Sequence, residues 1–305
     1  MSQALLFHRD FRAYSGGHGK VLDYFGHARA HPGWSPRFFL APGSVDEDNP
    51  WLGVDGRVDA WEPERADALF LGGMDWLAYP ADDPRRPVVN LVQHVRHADP
   101  DGPLHGFLAR RAIRICVGAP VAEAIRATGR ANGPVLVIEA ALNLPAPAHD
   151  AGPRQGVFID ALKHPALGEA LHRGLVERGH EARLSRERMP RARYLEALAS
   201  ADVAVLLPHA TEGFYLPALE AMALGSAVVV PDCVGNRAYL EPGRNALVPP
   251  AAPGPLLEAV EALADPARRD ALVAAGRRTA ARFDLARERH AFHAVLDDLP
   301  ALWRQ

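Results

Sequence analysis

Two carboxylates in one short segment, Glu212 and Glu220, stand where a loop runs into a helix, and they are the residues with the clearest capacity for chemistry. Val203 to Leu207 reads as a strand and Pro208 to Leu216 as a loop; a helix follows, with Pro217 suited to its first turn and Gly225 to the position past its end. A helix start carries unpaired N–H groups and about half a positive charge, a combination that attracts phosphate. Gly213, Phe214, Tyr215 and Leu216 occupy the positions of those donors. Glu220, about one turn into the helix, is placed to accept two hydrogen bonds from a ribose diol, and Glu212 on the loop to meet the hydroxyls of a sugar. The plainer alternative is that both are acidic residues favoured near a helix start.

A diphosphate would also need cations. The chain has many arginines but two lysines, Lys20 and Lys163, each reading as part of a loop after the first strand of its half. Arg154 lies before the strand and fits this duty poorly. In Tyr14-Ser15-Gly16-Gly17-His18-Gly19-Lys20, Gly16 and Gly17 let backbone approach a ligand closely or serve only a tight turn, and no Gly-x-Gly-x-x-Gly is formed. The strand Pro87 to Gln93 runs into His94, expected to face a crevice and to hydrogen-bond a sugar or an acceptor, or to be a satisfied loop residue. His18, His97, His209, Asp10 and Asp75 are weaker candidates of the same kind. Asp46-Glu47-Asp48 and Asp99-Pro100-Asp101 read as solvated turns rather than metal ligands, so no metal and no cofactor are expected.

The elements that must position these residues follow an alternating pattern. Short apolar runs (Ala4 to His8, Arg37 to Ala41, Ala68 to Leu71, Val88 to Gln93, Ile113 to Val117, Val135 to Ile138) alternate with longer helical stretches, as in a parallel sheet covered by helices. Asn143 to Pro153, with three prolines, reads as a linker and places a domain boundary near residue 150. A second α/β half follows over 151–284, with strands at Gly156 to Ile159, Val203 to Leu207 and Ala227 to Val230 and a helix over Leu167 to Glu177. Its closing helices run from Leu256 and Pro266, and a last helix over 285–305 is expected to cross back to the first half.

Length and composition agree with two soluble cores: 305 residues, 48% apolar, 23% charged, with a net charge of -3 that offers nothing to a polyanion. Nucleic acid is therefore not an expected partner. No apolar run approaches the roughly 20 residues of a membrane span, and the N-terminus lacks a secretion pattern, so the expected address is cytoplasmic. Leu108-Ala109-Arg110-Arg111-Ala112-Ile113-Arg114 allows at most peripheral contact with anionic lipid, with a solvated helix end as the ordinary alternative. Cys116 and Cys233, in different halves, read as small buried residues.

Glu212 and Glu220 at this spacing, with Tyr194 to Val203, Glu212 to Gly225 and Gly243 to Pro249 in order, resemble the retaining glycosyltransferases of family 4 and their Glu-x7-Glu signature. The resemblance implies a GT-B fold, two Rossmann-like parallel-sheet domains facing a central cleft. It implies that Glu220 holds the donor ribose, that Glu212 holds the transferred sugar, and that the Gly213 to Leu216 backbone holds sugar and phosphate. Lys163 stands about where the family has a phosphate-binding Lys, whereas the accompanying Arg is missing. Gly16 and Gly17 match a Gly-Gly pair facing the donor phosphates and the acceptor, and His94 matches a His after its strand. In Pro231 to Leu240 only Gly235 remains of a second Gly-Gly, with Arg237 as an added phosphate cation. The implied activity is metal-independent, retaining transfer from a nucleotide sugar, with a UDP or GDP sugar as donor and a sugar or lipid-linked sugar as acceptor, in bacterial glycan synthesis. The alternatives are a non-catalytic GT-B subunit that binds nucleotide sugar or acceptor for a partner enzyme, and a sugar-nucleotide epimerase.

Overall fold

The computed structural model describes residues 2–80, 83–144 and 154–305. The chain divides into two compact units, Met1–Ala141 with Leu285–Gln305, and Leu142–Asp284. Most of the expected linker, Pro145 to Pro153, lies outside the described residues.

The first unit is built on seven parallel strands: β1 (Gln3–Arg9), β2 (Trp34–Leu40), β3 (Arg57–Val58), β4 (Ala68–Gly72), β5 (Val88–Val92), β6 (Ile113–Cys116) and β7 (Val135–Val137). Their spatial order is β3-β2-β1-β4-β5-β6-β7. The inner strands are buried along most of their length, as expected of a parallel sheet covered on both faces. Aromatic rings fill the core between β1, β4 and the helix α1 (Gly16–Arg29): Phe7 stacks on Phe70 at 4.5 Å and meets Phe25 edge-on at 5.3 Å. Helix α2 (Ala119–Ala127) follows β6.

Helix α1 begins earlier than its glycines suggest. Gly16 and Gly17 are its first residues, not part of a preceding loop, because the Ser15 hydroxyl caps the helix by accepting the His18 N–H at 3.3 Å. Lys20 therefore stands on the helix and not in the loop expected for it, and it is 2% exposed.

The second unit has four parallel strands, β8 (Val157–Asp160), β9 (Ala182–Ser185), β10 (Val203–Leu206) and β11 (Ala227–Val229), in the order β11-β10-β8-β9. Helices α3 (Pro165–Glu177), α4 (Arg191–Ala199), α5 (Leu216–Leu224), α6 (Pro253–Glu261) and α7 (Pro266–Ala280) complete it. Gly225 ends α5 in the left-handed conformation at φ 87°, which a residue with a Cβ adopts at a cost. The Asp265 carboxylate caps α7 at the Ala267 N–H, 3.0 Å away.

Gly168 on α3 faces Ala161 just past β8. A Cβ at Gly168 would lie 2.2 Å from that of Ala161 and 3.1 Å from Leu184 Cδ1. Gly→Ala inside a helix ordinarily stabilises by roughly 0.5–1 kcal/mol. Gly168→Ala is expected to do the reverse, costing about 1–3 kcal/mol through overpacking. Denaturant unfolding checks it, and a more stable variant would show that α3 yields.

The last two helices, α8 (Leu285–Asp297) and α9 (Leu299–Arg304), belong to the first unit. The single helix expected there is split because Pro300 stands in the first turn of α9, where its missing N–H costs nothing. Glu288 of α8 is 3% exposed and joins Lys20, His27 and the Ala141 N–H, at 2.8, 2.9 and 3.0 Å.

The cations of the basic stretch near residue 111 have partners within the first unit. Arg114 is fully buried and donates to the carbonyls of Asn132 and Leu108 at 2.7 and 2.8 Å, and burial lowers its pKa to about 10. Arg110 lies 4.5 Å over the Trp76 ring, and Arg111 donates to the Trp303 carbonyl. Among the described residues no helix is long and apolar enough to cross a membrane.

Candidate functional site

In the second unit, the loops leaving β8 and β10 bring Lys163 and Glu212 together. The Lys163 ammonium touches Glu212 Oε1 and lies 5.1 Å from the centre of the buried Tyr215 ring, so its charge is held by a carboxylate and an aromatic face. The Lys163 and Glu212 side chains are 30% and 14% exposed. Beside them, Tyr194 donates to Asp160 Oδ2 at 3.0 Å and the Leu162 N–H reaches Oδ1 at 3.3 Å. Burial pushes the Asp160 carboxyl above its ordinary value despite those hydrogen bonds.

Glu220 sits just beyond the first turn of α5, its side chain 6% exposed, and Arg191 Nη2 meets its Oε1 at 2.6 Å. Oε2 of Glu220 and Oε2 of Glu212 take no hydrogen bond among the described residues. Each glutamate is thus fixed through one oxygen by a cation, and the other remains open to an outside donor.

The backbone at the start of α5 departs in part from expectation. The Tyr215 N–H donates to the Gly235 carbonyl at 3.1 Å and the Leu216 N–H to the Phe214 carbonyl at 3.1 Å, so these two are already occupied. The N–H groups of Gly213 and Phe214 find no backbone carbonyl among the described residues. Gly235 explains its own retention: a Cβ there would come within 2.7 Å of the Phe214 nitrogen and 2.9 Å of the Glu212 carbonyl oxygen. Tyr239 steadies the same turn by donating to the Tyr215 carbonyl at 2.5 Å.

Other expected cations have other partners. Arg237 is exposed and grips Asp232, with Nε 2.9 Å from Oδ1 and Nη2 2.5 Å from Oδ2. Arg154 donates to the Leu224 carbonyl at the far end of α5, which removes it as a phosphate ligand. His209 packs edge-on against His164 at 5.2 Å.

Gly16, Gly17 and His94 belong to the first unit. Gln93 Nε2 donates to the Gly17 carbonyl at 3.2 Å, and His94 Nδ1 accepts the Arg96 N–H at 3.0 Å, opening a short helical turn. Asp75 does not present open oxygens to an acceptor: it is 6% exposed and bonded by Arg9 at 2.6 Å, His8 at 3.1 Å and the Gly72 N–H at 3.0 Å. His97 is buried, and desolvation holds its pKa at about 4, so it is a neutral core residue. Burial raises the thiols of Cys116 to about 12 and Cys233 to about 11, which makes both inert at neutral pH. Among the described residues no group of three or more His, Cys, Asp or Glu has the placement of a metal site.

Residues 170–266 match the family described as Glycosyl transferases group 1, a span that holds Arg191, Glu212 and Glu220. No curated protein matches the chain significantly in sequence. Among solved structures, HepE of Anabaena in complex with UDP-glucose superimposes with a TM-score of 0.73 at 14% identity, over 97% of this chain and 100% of that one. Sucrose-phosphate synthase from Thermosynechococcus elongatus gives 0.70 at 16% identity, over 98% and 99%. The fold is GT-B. The same architecture extends to a protein described as a putative UDP-N-acetylglucosamine 2-epimerase from Listeria monocytogenes, with a TM-score of 0.61 at 11% identity over 98% and 96%.

Arg191, Asp160 and Tyr194 escaped the sequence reading as site residues. Tyr194 was visible only as part of a matching block. Arg191 lies among Arg183, Arg186, Arg188 and Arg193, and nothing in the spacing distinguishes it from its neighbours.

Proposed function

We propose that the protein is a metal-independent, retaining glycosyltransferase whose donor is a nucleotide sugar, a UDP or GDP sugar being favoured. The observation that carries this reading is the pair of cation-anchored glutamates, Glu212 with Lys163 and Glu220 with Arg191, beside the start of α5. Glu220 would hold the ribose through its open oxygen and Glu212 the sugar, with the Gly213 and Phe214 N–H groups and Lys163 meeting the diphosphate. The GT-B fold and the match over residues 170–266 support it, as does the UDP-glucose named for the Anabaena neighbour.

In this mechanism the acceptor hydroxyl attacks the anomeric carbon on the face the diphosphate leaves. The bond from that carbon to the phosphate oxygen breaks, the new glycosidic bond forms, and the hydroxyl proton passes to the departing phosphate. The acceptor is a sugar or a lipid-linked sugar of a bacterial glycan, met in the cytoplasm or at its membrane face. Lys163 and the helix end supply the positive charge that the leaving group requires.

A thermal-shift series with UDP, GDP, ADP and dTDP and their sugars tests the reading. At 100 times its dissociation constant the right nucleotide should add about 2.7 kcal/mol to the stability of the wild type. Glu220→Ala should lose that gain. If no nucleotide shifts the wild type, the donor site is refuted and a non-catalytic role takes its place. A product that is an epimerised nucleotide sugar would instead favour the epimerase.

A further inference from the structure

We propose that Arg191 is a positioning and specificity-determining residue of the donor site, setting the preference for a ribose over a deoxyribose by fixing Glu220. The inference rests on the donor-site reading above and adds to it a residue that the sequence did not single out.

Arg191 is the first residue of α4, with no acidic residue in that turn. A cation there is disfavoured by the helix dipole, so this placement calls for a compensating partner. Glu220 of another helix is that partner, at 2.6 Å. The pair is lopsided: the Arg191 side chain is 26% exposed and that of Glu220 6%, and only Oε1 of Glu220 is held. A carboxylate this buried, with one oxygen open, is pre-aimed rather than merely neutralised. A freely rotating Glu220 would have to be ordered by the ligand, at the cost of side-chain entropy.

Charge points the same way. Two glutamates beside a site for a diphosphate would repel it, and each here has its own cation, Lys163 for Glu212 and Arg191 for Glu220. Arg191 thereby offsets the charge of Glu220 next to a polyanion while leaving one carboxylate oxygen for the ribose hydroxyls. A 2′-deoxyribose offers Glu220 one hydroxyl fewer, so the discrimination between the two sugars depends on where the carboxylate is held.

Calorimetric titration with UDP, GDP and ADP and their 2′-deoxy counterparts tests this on wild type, Arg191→Ala, Arg191→Lys, Glu220→Gln and the Arg191→Ala/Glu220→Gln double variant. The wild type should prefer one ribonucleotide over its deoxy form by at least about tenfold. Arg191→Ala should weaken ribonucleotide binding about tenfold and bring that ratio close to one, Arg191→Lys should keep an intermediate ratio, and the double variant should bind no worse than Glu220→Gln alone. Equal loss for both sugars in Arg191→Ala, or none, overturns the proposal while leaving the donor site standing. A wild type that binds no nucleotide overturns the donor site and the role of Arg191 together. If Arg191→Ala fails to fold, the ratio in Arg191→Lys decides: one equal to wild type rejects the proposal.

Discussion

Replacing Glu288 with alanine is expected to destabilise the first unit by about 3 kcal/mol, at the lower end of what breaking a buried ion pair costs. The carboxylate has a side-chain exposure of 1% and serves three partners at once. Lys20 would keep Asp23 at 2.8 Å and the Ala141 carbonyl at 2.8 Å, which is why the cost falls at that lower end. For a unit of this size the unfolding midpoint should fall by roughly 6–12 °C. Acid should mimic the substitution. Burial pushes the Glu288 carboxyl up, but the hydrogen bond from His27, the charge and hydrogen bond of Lys20 and the Ala141 N–H outweigh it and hold the group below its ordinary value. A carboxyl whose folded pKa lies below the unfolded one contributes stability that is fully present above the unfolded value, about 4.3, and is lost as pH falls through the folded value. Wild type should therefore lose stability relative to Glu288→Ala below about pH 4.3. Parallel stability curves for the two proteins down to pH 3 would refute the linkage.

Strands β1, β4, β5, β6, β8, β10 and β11 were legible because a strand buried on both faces leaves an uninterrupted apolar run between turn residues. Strands β3 and β9 left no such trace, one being two residues long and the other, Ala182-Arg183-Leu184-Ser185, a half-exposed edge. The start of α1 was misread for a related reason. Glycine is a poor helix former, and Gly16-Gly17 looks like a loop until Ser15 is seen to cap it and Val21, Tyr24 and Phe25 to pack beneath the sheet. In the site, Glu212, Glu220 and the proline and glycine that bound α5 were visible because local chemistry fixes them at short spacing. Their partners come from elsewhere in the chain, Lys163 from 49 residues before Glu212 and Arg191 from 29 before Glu220. Lys163 stood out because lysine is rare here. Arg191 was hidden by an arginine-rich neighbourhood, and only the folded chain separates it from Arg154, which the sequence had weighed and which binds the opposite end of α5.

Lys163→Met is expected to lower the turnover number about 10²–10³-fold with the donor identified by the thermal-shift series, the scale of loss seen when one preorganised charge-stabilising group is removed. Ground-state diphosphate carries its charge already, whereas the oxygen leaving the anomeric carbon gains charge only as that bond breaks, so a cation aimed at it lowers the barrier more than it strengthens binding. Lys163 is suited to this because its ammonium is held in advance, between Glu212 and the Tyr215 ring 5.1 Å away, and needs no reorganisation at the moment of transfer. The Michaelis constant should accordingly change far less than the turnover number, and Lys163→Arg should recover part of the rate. A turnover number within a few-fold of wild type would remove Lys163 from the chemistry. A rise confined to the Michaelis constant would make it a ground-state phosphate ligand instead, and the helix end would then be left as the group that meets the leaving charge.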